Sequence, residues 1–323
     1  MFEKLNSVLL ITFATGFVSG FHKLGMNFWF NFSCEVNVAN VGLFSLTFLP
    51  YAIKSLWLPF LFEINFNNYG NKKSWIILLD FLSFIFFCIF LFNLNFLVEN
   101  YFFLICLFFL YAIINATREI FAIGYQVELI PKEELKIKES YISTAYQTGF
   151  LIGSVGLLSL NYFLKIHWLN VFKISALFLF LCFLSSFLIK NSNIEKENKI
   201  SLKERFFSPY YDFVEHNKNY LVVLISFLIF YRFQDKMLVS VMNVFFKEKG
   251  YAEYDFIVGK TIGMLSMVAG AFVARFFMSK FSLKNALKFA MLIHAIPCIF
   301  FYIQIFSEKN FWFFNLVNFL EKF

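Results

Sequence analysis

Three charges interrupt one of the most apolar runs of this chain. Residues 227–246 read FLIFYRFQDKMLVSVMNVFF, with Arg232, Asp235 and Lys236 at the centre. Spacings of three and four residues put them on one helix face. Counted from Tyr220, Asp235 lies roughly 22 Å along a helix at ~1.5 Å per residue. That is the middle of a bilayer core roughly 30 Å thick. A charge facing lipid there costs at least about 2.5–3.5 kcal/mol. The face either forms an internal ion pair that holds helices in register or lines a polar pathway. Two cations and one anion leave it net positive, suited to an anionic ligand or to a carboxylate such as Glu321. Lys54, within another apolar run, presents the same choice. Lys23, Lys173 and Lys260 sit where a flexible stem carries the ammonium out to the interface. Asp80 reads as structural.

The elements that must position these residues are long apolar blocks. The chain has 323 residues, 60% hydrophobic and 15% charged, with mean hydropathy +0.69. Soluble domains are roughly 45–50% apolar and about 25% charged. Blocks long enough to span a bilayer fall at about 8–32, 41–62, 75–97, 102–129, 141–163, 170–190, 220–246, 255–279 and 285–306, and a tenth starts near Phe311. The fold class is therefore an all-α polytopic membrane protein. The first block is too long for a signal-peptide core of roughly 7–15 residues. Pro50 and Pro59 should kink the second span. Gly149, Gly153 and Gly156 in the fifth span, and Gly259 and Gly263 in the eighth, permit close helix contact. The 53 phenylalanines read mostly as lipid-facing filler.

Orientation follows from lysine and arginine in the loops. With the N-terminus inside, the inner segments carry sixteen basic residues; the outer loops carry four, Lys165, Lys247, Lys249 and Lys309. The net charge of +7 is thus spent on topology, which argues against nucleic acid as a partner. The polar segment Lys190–Asn219 lies inside and divides six spans from the rest. This gives a six-helix half over 1–190, a cytoplasmic linker over 191–219 and an incomplete second half over 220–323. None of the five cysteines forms a CxxC pair, and the four histidines have no metal-binding spacing. Walker loops, nucleophile elbows and dinucleotide fingerprints are missing from the sequence, so neither an enzyme nor a cofactor is expected.

Several stretches, taken in order, resemble the AmpG-type muropeptide permeases, a branch of the major facilitator superfamily. VGLFSLTFLPYAIKSLWLPFLFE (Val41–Glu63) resembles the family's second span, with Tyr51, then Lys54, then Leu-Trp-x-Pro. NATREIFAIGYQVELIPKEE (Asn115–Glu134) resembles the fourth span and AYQTGFLIGSVG (Ala145–Gly156) the fifth. YRFQDKMLVSVMNVFFKEKGY and VGKTIGMLSMVAGAFVA resemble the seventh and eighth. The segment EINFNNYGNKKS resembles the superfamily's gating loop and contributes Glu63, Gly70, Lys72 and Lys73. On the fourth span the resemblance implies an acidic, acidic, basic face at i, i+4 and i+7; here it reads Glu119, Ile123 and Gln126. Gln147 stands where the fifth span usually has Arg, and Ile64 follows Glu63 where the family closes the second span with an acidic-basic pair.

The resemblance implies a major facilitator fold and proton-driven uptake of anhydro-muramyl peptides through the inner membrane. Its transport pathway would include Lys54, Glu119, Gln126, Gln147, Arg232, Asp235, Lys236 and Glu321. The partners would be the muropeptide, protons and the lipid bilayer. The family has twelve or more spans, whereas this sequence holds a complete first half and about three and a half helices of the second. The alternative reading is a truncated, non-transporting remnant, or a membrane partner of a full-length relative or a missing C-terminal fragment. For the orientation, a single cysteine placed at Ser201 should resist a membrane-impermeant thiol reagent added outside intact cells. Efficient labelling there overturns the inside placement of the linker.

Overall fold

The computed structural model describes residues 2–33, 38–61, 64, 71–191, 202–226, 245–246, 248–281 and 283–322. Helix α1 (Phe2–Gly20) continues through a π-helical stretch, Phe21–Met26, into Asn27–Ser33. Helix α2 is a broken rod: Val38–Ser45, Leu49–Ile53 and Leu58–Leu61, joined by 3-10 turns Leu46–Phe48 and Lys54–Leu56. Helix α3 (Asn71–Phe92) is extended by a short turn Leu94–Glu99. Then come α4 (Tyr101–Leu129), α5 (Lys132–Leu151, continuing through π-helical Ile152–Gly156 into Leu157–Tyr162) and α6 (Trp168–Leu188). Helix α7 (Leu202–His216) lies in the linker, followed by α8 (Glu253–Lys280), α9 (Leu283–Phe306) and α10 (Phe311–Lys322). Among the described residues there is no strand. Among them, four helical stretches are both long and apolar enough to cross a membrane: Glu3–Phe30, Asn71–Phe92, Tyr101–Leu129 and Trp168–Leu188.

The breaks in α2 follow from its prolines. Each lacks a backbone N–H, so the carbonyl four residues earlier loses its helical partner. A 3-10 turn precedes Pro50, and a second precedes Pro59. Lys54 sits in that second turn. The expected kink is therefore two breaks, with the charged residue in the second.

Helix α1 is the axis of the first half. It packs along α5 and also against α4 and α6, while α3 lies between α4 and α6. The α1–α5 contact is backbone on backbone. A Cβ on Gly16 would collide with the Tyr146 carbonyl, and one on Gly20 with that of Phe150. Reciprocally, Gly149 meets the Phe13 carbonyl and Gly153 that of Phe17. In hydrocarbon, where burial offers no drive for helix association, such close approach supplies the packing energy. Gly156 is different, since its Cβ would meet nothing closer than 3.6 Å.

The phenylalanines do more than face lipid. Phe17, Phe21, Phe30, Phe87, Phe90, Phe108 and Phe172 form the interior of the first half. Edge-to-face pairs such as Phe21–Phe87 at 4.9 Å and stacked pairs such as Phe30–Phe44 at 4.5 Å set their geometry. Phe92, Phe102 and Phe103 point outward, as expected of filler. A six-helix bundle of this width needs large side chains inside, and Phe fills it without adding a polar atom.

In the second half α8 packs against α10 and, across the halves, against α5. Phe246, Tyr251, Phe256, Met264 and Phe314 form one cluster with Phe28, Val155 and Leu158 of the first half. Helix ends are tied by lysines on both sides of the bundle. Lys73 Nζ donates to the carbonyls of Phe187 (3.0 Å) and Ile189 (2.5 Å) and to Asn191 Oδ1 (3.1 Å) at the end of α6. Lys249 Nζ donates to the carbonyls of Gln304, Ile305 and Ser307 at 2.6–2.8 Å, at the end of α9. These carbonyls lack intrahelical partners and carry the negative end of the helix dipole.

The glycine contact yields a paired expectation. Gly153→Ala should lower the thermal unfolding midpoint in detergent, because overpacking costs about 1–3 kcal/mol. Gly156→Ala should leave it unchanged or raise it, since alanine gains roughly 0.5–1 kcal/mol over glycine inside a helix. Equal midpoints for the two variants would show that the backbone contact carries no energy.

Candidate functional site

The polar interior of the first half has two parts, set back to back on α4. Arg118 and Glu119 are consecutive, so helical geometry turns them about 100° apart. Arg118 points inward. It is 1% exposed and pairs through Nε and Nη2 with both carboxylate oxygens of Asp80 on α3. Its Nη1 donates to Thr15 Oγ1 on α1 at 2.6 Å, and Thr15 donates in turn to the Ile11 carbonyl. Three residues later on α3 and three earlier on α4, Ser83 Oγ donates to Asn115 Oδ1 at 3.0 Å. Asp80 is thus held in a buried ion pair. Its partner Arg118 was not singled out, although two opposite charges in neighbouring apolar runs were a legible signal.

Glu119 points the other way, into a cavity of about 240 Å³ between α1, α4 and α5. Its walls include Thr12 and Thr15 of α1, Ile123 and Gln126 of α4, and Glu139, Ser143 and Tyr146 of α5. The i, i+4, i+7 face of α4 is thus one wall of a single space. Glu119 Oε2 lies 3.1 Å from Lys54 Nζ, with the two side chains 18% and 26% exposed. The 3-10 turn that holds Lys54 is fixed to α4 three residues further on, where Trp57 Nε1 donates to Thr117 Oγ1 at 3.0 Å. At the exposed side of the cavity wall, Gln126 Nε2 approaches Glu139 Oε2 at 3.4 Å. Glu139 also escaped the sequence reading; it belongs to a mixed-charge stretch at the start of α5 that looks like an ordinary solvated end.

The other expected residues fall in different places. Lys72 pairs with Glu128 at 2.9 Å, joining the start of α3 to the end of α4. Lys73 is 4% exposed and held on the α6 carbonyls. Gln147 is half-buried on α5 and does not line the cavity. Glu321 is half-buried on α10, near the buried Asn315 and Asn318 of the same helix. Glu63, Gly70, Arg232, Asp235 and Lys236 lie outside the described residues. Lys23 does not simply reach for the interface; its Nζ lies 4.0 Å from the centre of the Tyr51 ring. Lys173 is exposed.

One further polar residue had no sequence signal beyond being a histidine in an apolar run. His22, in the π-helical stretch of α1, is fully buried among Phe48, Tyr51, Phe108 and Tyr111. Its Nδ1 lies 3.3 Å from the Tyr51 hydroxyl, while Nε2 has no hydrogen-bonding partner among the described residues. Among the described residues, no group of His, Cys, Asp and Glu has the arrangement of a metal site.

The buried pair behind the cavity gives a stability expectation. Arg118→Leu leaves Asp80 as an uncompensated carboxylate and should cost about 3–5 kcal/mol. Adding Asp80→Leu should recover most of that loss, because two apolar residues need no partner. Thermal unfolding of the two variants in detergent checks this. A double variant no more stable than the single one would show that the pair is not the source of the loss.

The chain matches the family described as Major Facilitator Superfamily over residues 7–320. It is 28% identical over 94% of its length to the protein named "Putative transporter AmpG 2" of Rickettsia typhi, covering 73% of that protein. Identity and coverage are the same for the Rickettsia prowazekii protein of that name. The corresponding AmpG 1 protein of Rickettsia bellii is 23% identical over 95% of the chain and 77% of its own length. The alignments run through both halves of the bundle, in agreement with its helical architecture. The chain belongs to the major facilitator superfamily and is a multi-pass membrane transporter of a small molecule, resembling the AmpG permeases, rather than an enzyme.

Proposed function

We propose that this transporter takes up muropeptides, anhydro-muramyl peptides with a GlcNAc cap, across a bacterial inner membrane together with protons. The observation that carries the reading is the Lys54–Glu119 pair, whose carboxylate lines the cavity. The substrate class comes from the resemblance to the AmpG-type muropeptide permeases, in keeping with the AmpG relatives.

In this reading the pair works as an exchange. Glu119, when ionised, holds the Lys54 ammonium. A proton on Glu119 removes that attraction and frees Lys54 for a substrate carboxylate. The kinked position of Lys54 between two prolines lets it move without unwinding a regular helix. Asp235 is the other candidate for the proton, while Arg232 and Lys236 would meet further substrate carboxylates from the seventh span. Gln126 and Gln147 would offer uncharged contacts, and Glu321 would balance the seventh-span cations. Lys72–Glu128, with Lys73, Glu63 and Gly70, would close the cytoplasmic end. The two halves would rock around the midplane, as in other transporters built from repeated halves. The N-terminus and the linker would face the cytoplasm.

The test is uptake of a labelled anhydro-muropeptide by a bacterium lacking its own muropeptide permease and expressing this chain. Uptake should occur and should collapse when a protonophore is added. Glu119→Gln should lower it by about tenfold or more, equivalent to at least ~1.4 kcal/mol, while Lys173→Gln should leave it near the unmodified level. Uptake indifferent to the protonophore removes the proton from the scheme. No uptake from protein that is present in the membrane removes the substrate assignment.

A further inference from the structure

We propose that His22 of α1 is a positioning residue for transport, which fixes the place of Lys54 through the Tyr51 hydroxyl. The proposal rests on the role given to Lys54 above. Helix α2 cannot set that place alone. Its backbone leaves helical geometry at Ile53, between Tyr51 and Lys54, with φ −105° and ψ 11°. None of the three residues of the 3-10 turn Lys54–Leu56 is buried, so packing against a core does not hold the turn. Pro50 and Pro59 also remove a helical donor on each side of it. The side chains that flank the turn hold it instead. Beyond it, Trp57 Nε1 donates to Thr117 of α4. Before it, Tyr51 meets α1 at two consecutive residues. Its hydroxyl lies 3.3 Å from His22 Nδ1, and the two rings stack with centroids 5.8 Å apart. The Lys23 ammonium lies 4.0 Å from the centre of the same Tyr51 ring. Lys54 stands three residues from each anchor and reaches Glu119 from between them.

A histidine is an unfavourable choice for this position unless its hydrogen bond matters. The ring is fully buried, with Phe48, Phe108 and Tyr111 at centroid distances of 5.8, 6.0 and 5.6 Å. In that aromatic box phenylalanine would supply the same apolar surface. Histidine adds two nitrogens. One meets Tyr51. The other, Nε2, finds no partner among the described residues, and an unmatched buried nitrogen works against the fold. What His22 contributes here, and phenylalanine would not, is the bond to Tyr51. The residue also sits in the π-helical stretch Phe21–Met26, a winding that collects at functional positions.

The test uses the full chain in detergent, with 5-fluorotryptophan in place of tryptophan. The fluorine resonance of Trp57, assigned by its loss in Trp57→Phe, reports where the turn sits, and Trp168 and Trp312 serve as references on other helices. His22→Phe and Tyr51→Phe should shift the Trp57 resonance alike and leave the references in place. His22→Asn, whose amide stands close to where Nδ1 was, should return the resonance to its unmodified position. The thermal midpoint of His22→Phe should not fall. A Trp57 resonance unmoved in both variants, or a lowered midpoint with every resonance shifted, makes His22 a packing residue and overturns the proposal. Tyr51→Phe removes a single oxygen and decides the question by itself if His22→Phe is not recovered from the membrane. In the permease-deficient bacterium, each variant should raise the half-saturating anhydro-muropeptide concentration about three- to tenfold, the range one neutral hydrogen bond supports, with the maximal rate less affected. The double variant should lose no more than either single one, because both break the same bond. Unchanged half-saturation in both single variants overturns the proposal. Absence of uptake by the unmodified chain tells against the substrate reading instead, and the fluorine shift then decides whether His22 holds the turn.

Discussion

The buried contact between Arg118 and Asp80 constrains everything around it. Neither charge has water to turn to, and hydrocarbon offers no substitute. Helices α3 and α4 must therefore meet at these two residues, in this register, and α1 must bring Thr15 to the remaining guanidinium hydrogens. Once Arg118 is fixed inward, the helical turn leaves Glu119 a single direction. The cavity wall is thus a consequence of the pair behind it. Thr15 belongs to both, accepting from Arg118 on one side and lining the cavity on the other.

The second constraint is the approach of α1 to α5. Glycines on each helix receive carbonyls of the other, so the two backbones touch. Both helices also depart from α-helical winding at the same level, α1 at Phe21–Met26 and α5 at Ile152–Gly156, and these two π-helical stretches are neighbours. Such stretches are rare and collect at functional positions. Here one of them holds His22, whose Nδ1 reaches Tyr51 on the broken helix α2. The irregular backbone of the first half is therefore gathered around one side of the bundle rather than scattered through it.

Much of this was legible in the sequence, for physical reasons. Hydrocarbon thickness fixes the block length, so the blocks near 75–97, 102–129 and 170–190 could be placed within a few residues of α3, α4 and α6. Proline and glycine carry their meaning locally, and both did so here. The i, i+4, i+7 face at Glu119, to which the family resemblance pointed, lines one cavity because helical period puts these positions on one side of α4. What escaped needed partners from distant segments. Asp80 and Arg118 are 38 residues apart, and Lys73 meets acceptors more than a hundred residues away. Lys73 looked like a loop cation and is instead enclosed by carbonyls. Phe looked like filler because lipid and a protein core select the same side chain.

The lysine at the start of α3 has a mechanical meaning. Its ammonium grips the far end of α6, while α6 is also held at Lys190 by Ser7 of α1 and Tyr125 of α4. The last helix of the half is thereby fastened to the first, third and fourth at one rim, so these four rods form a closed polygon instead of an open row. An open row deforms by sliding one member past the next. A closed polygon resists such shear and answers a push on any one side by turning as a whole. Within the first half, that stiffness makes a displacement of any one of these helices a displacement of all four.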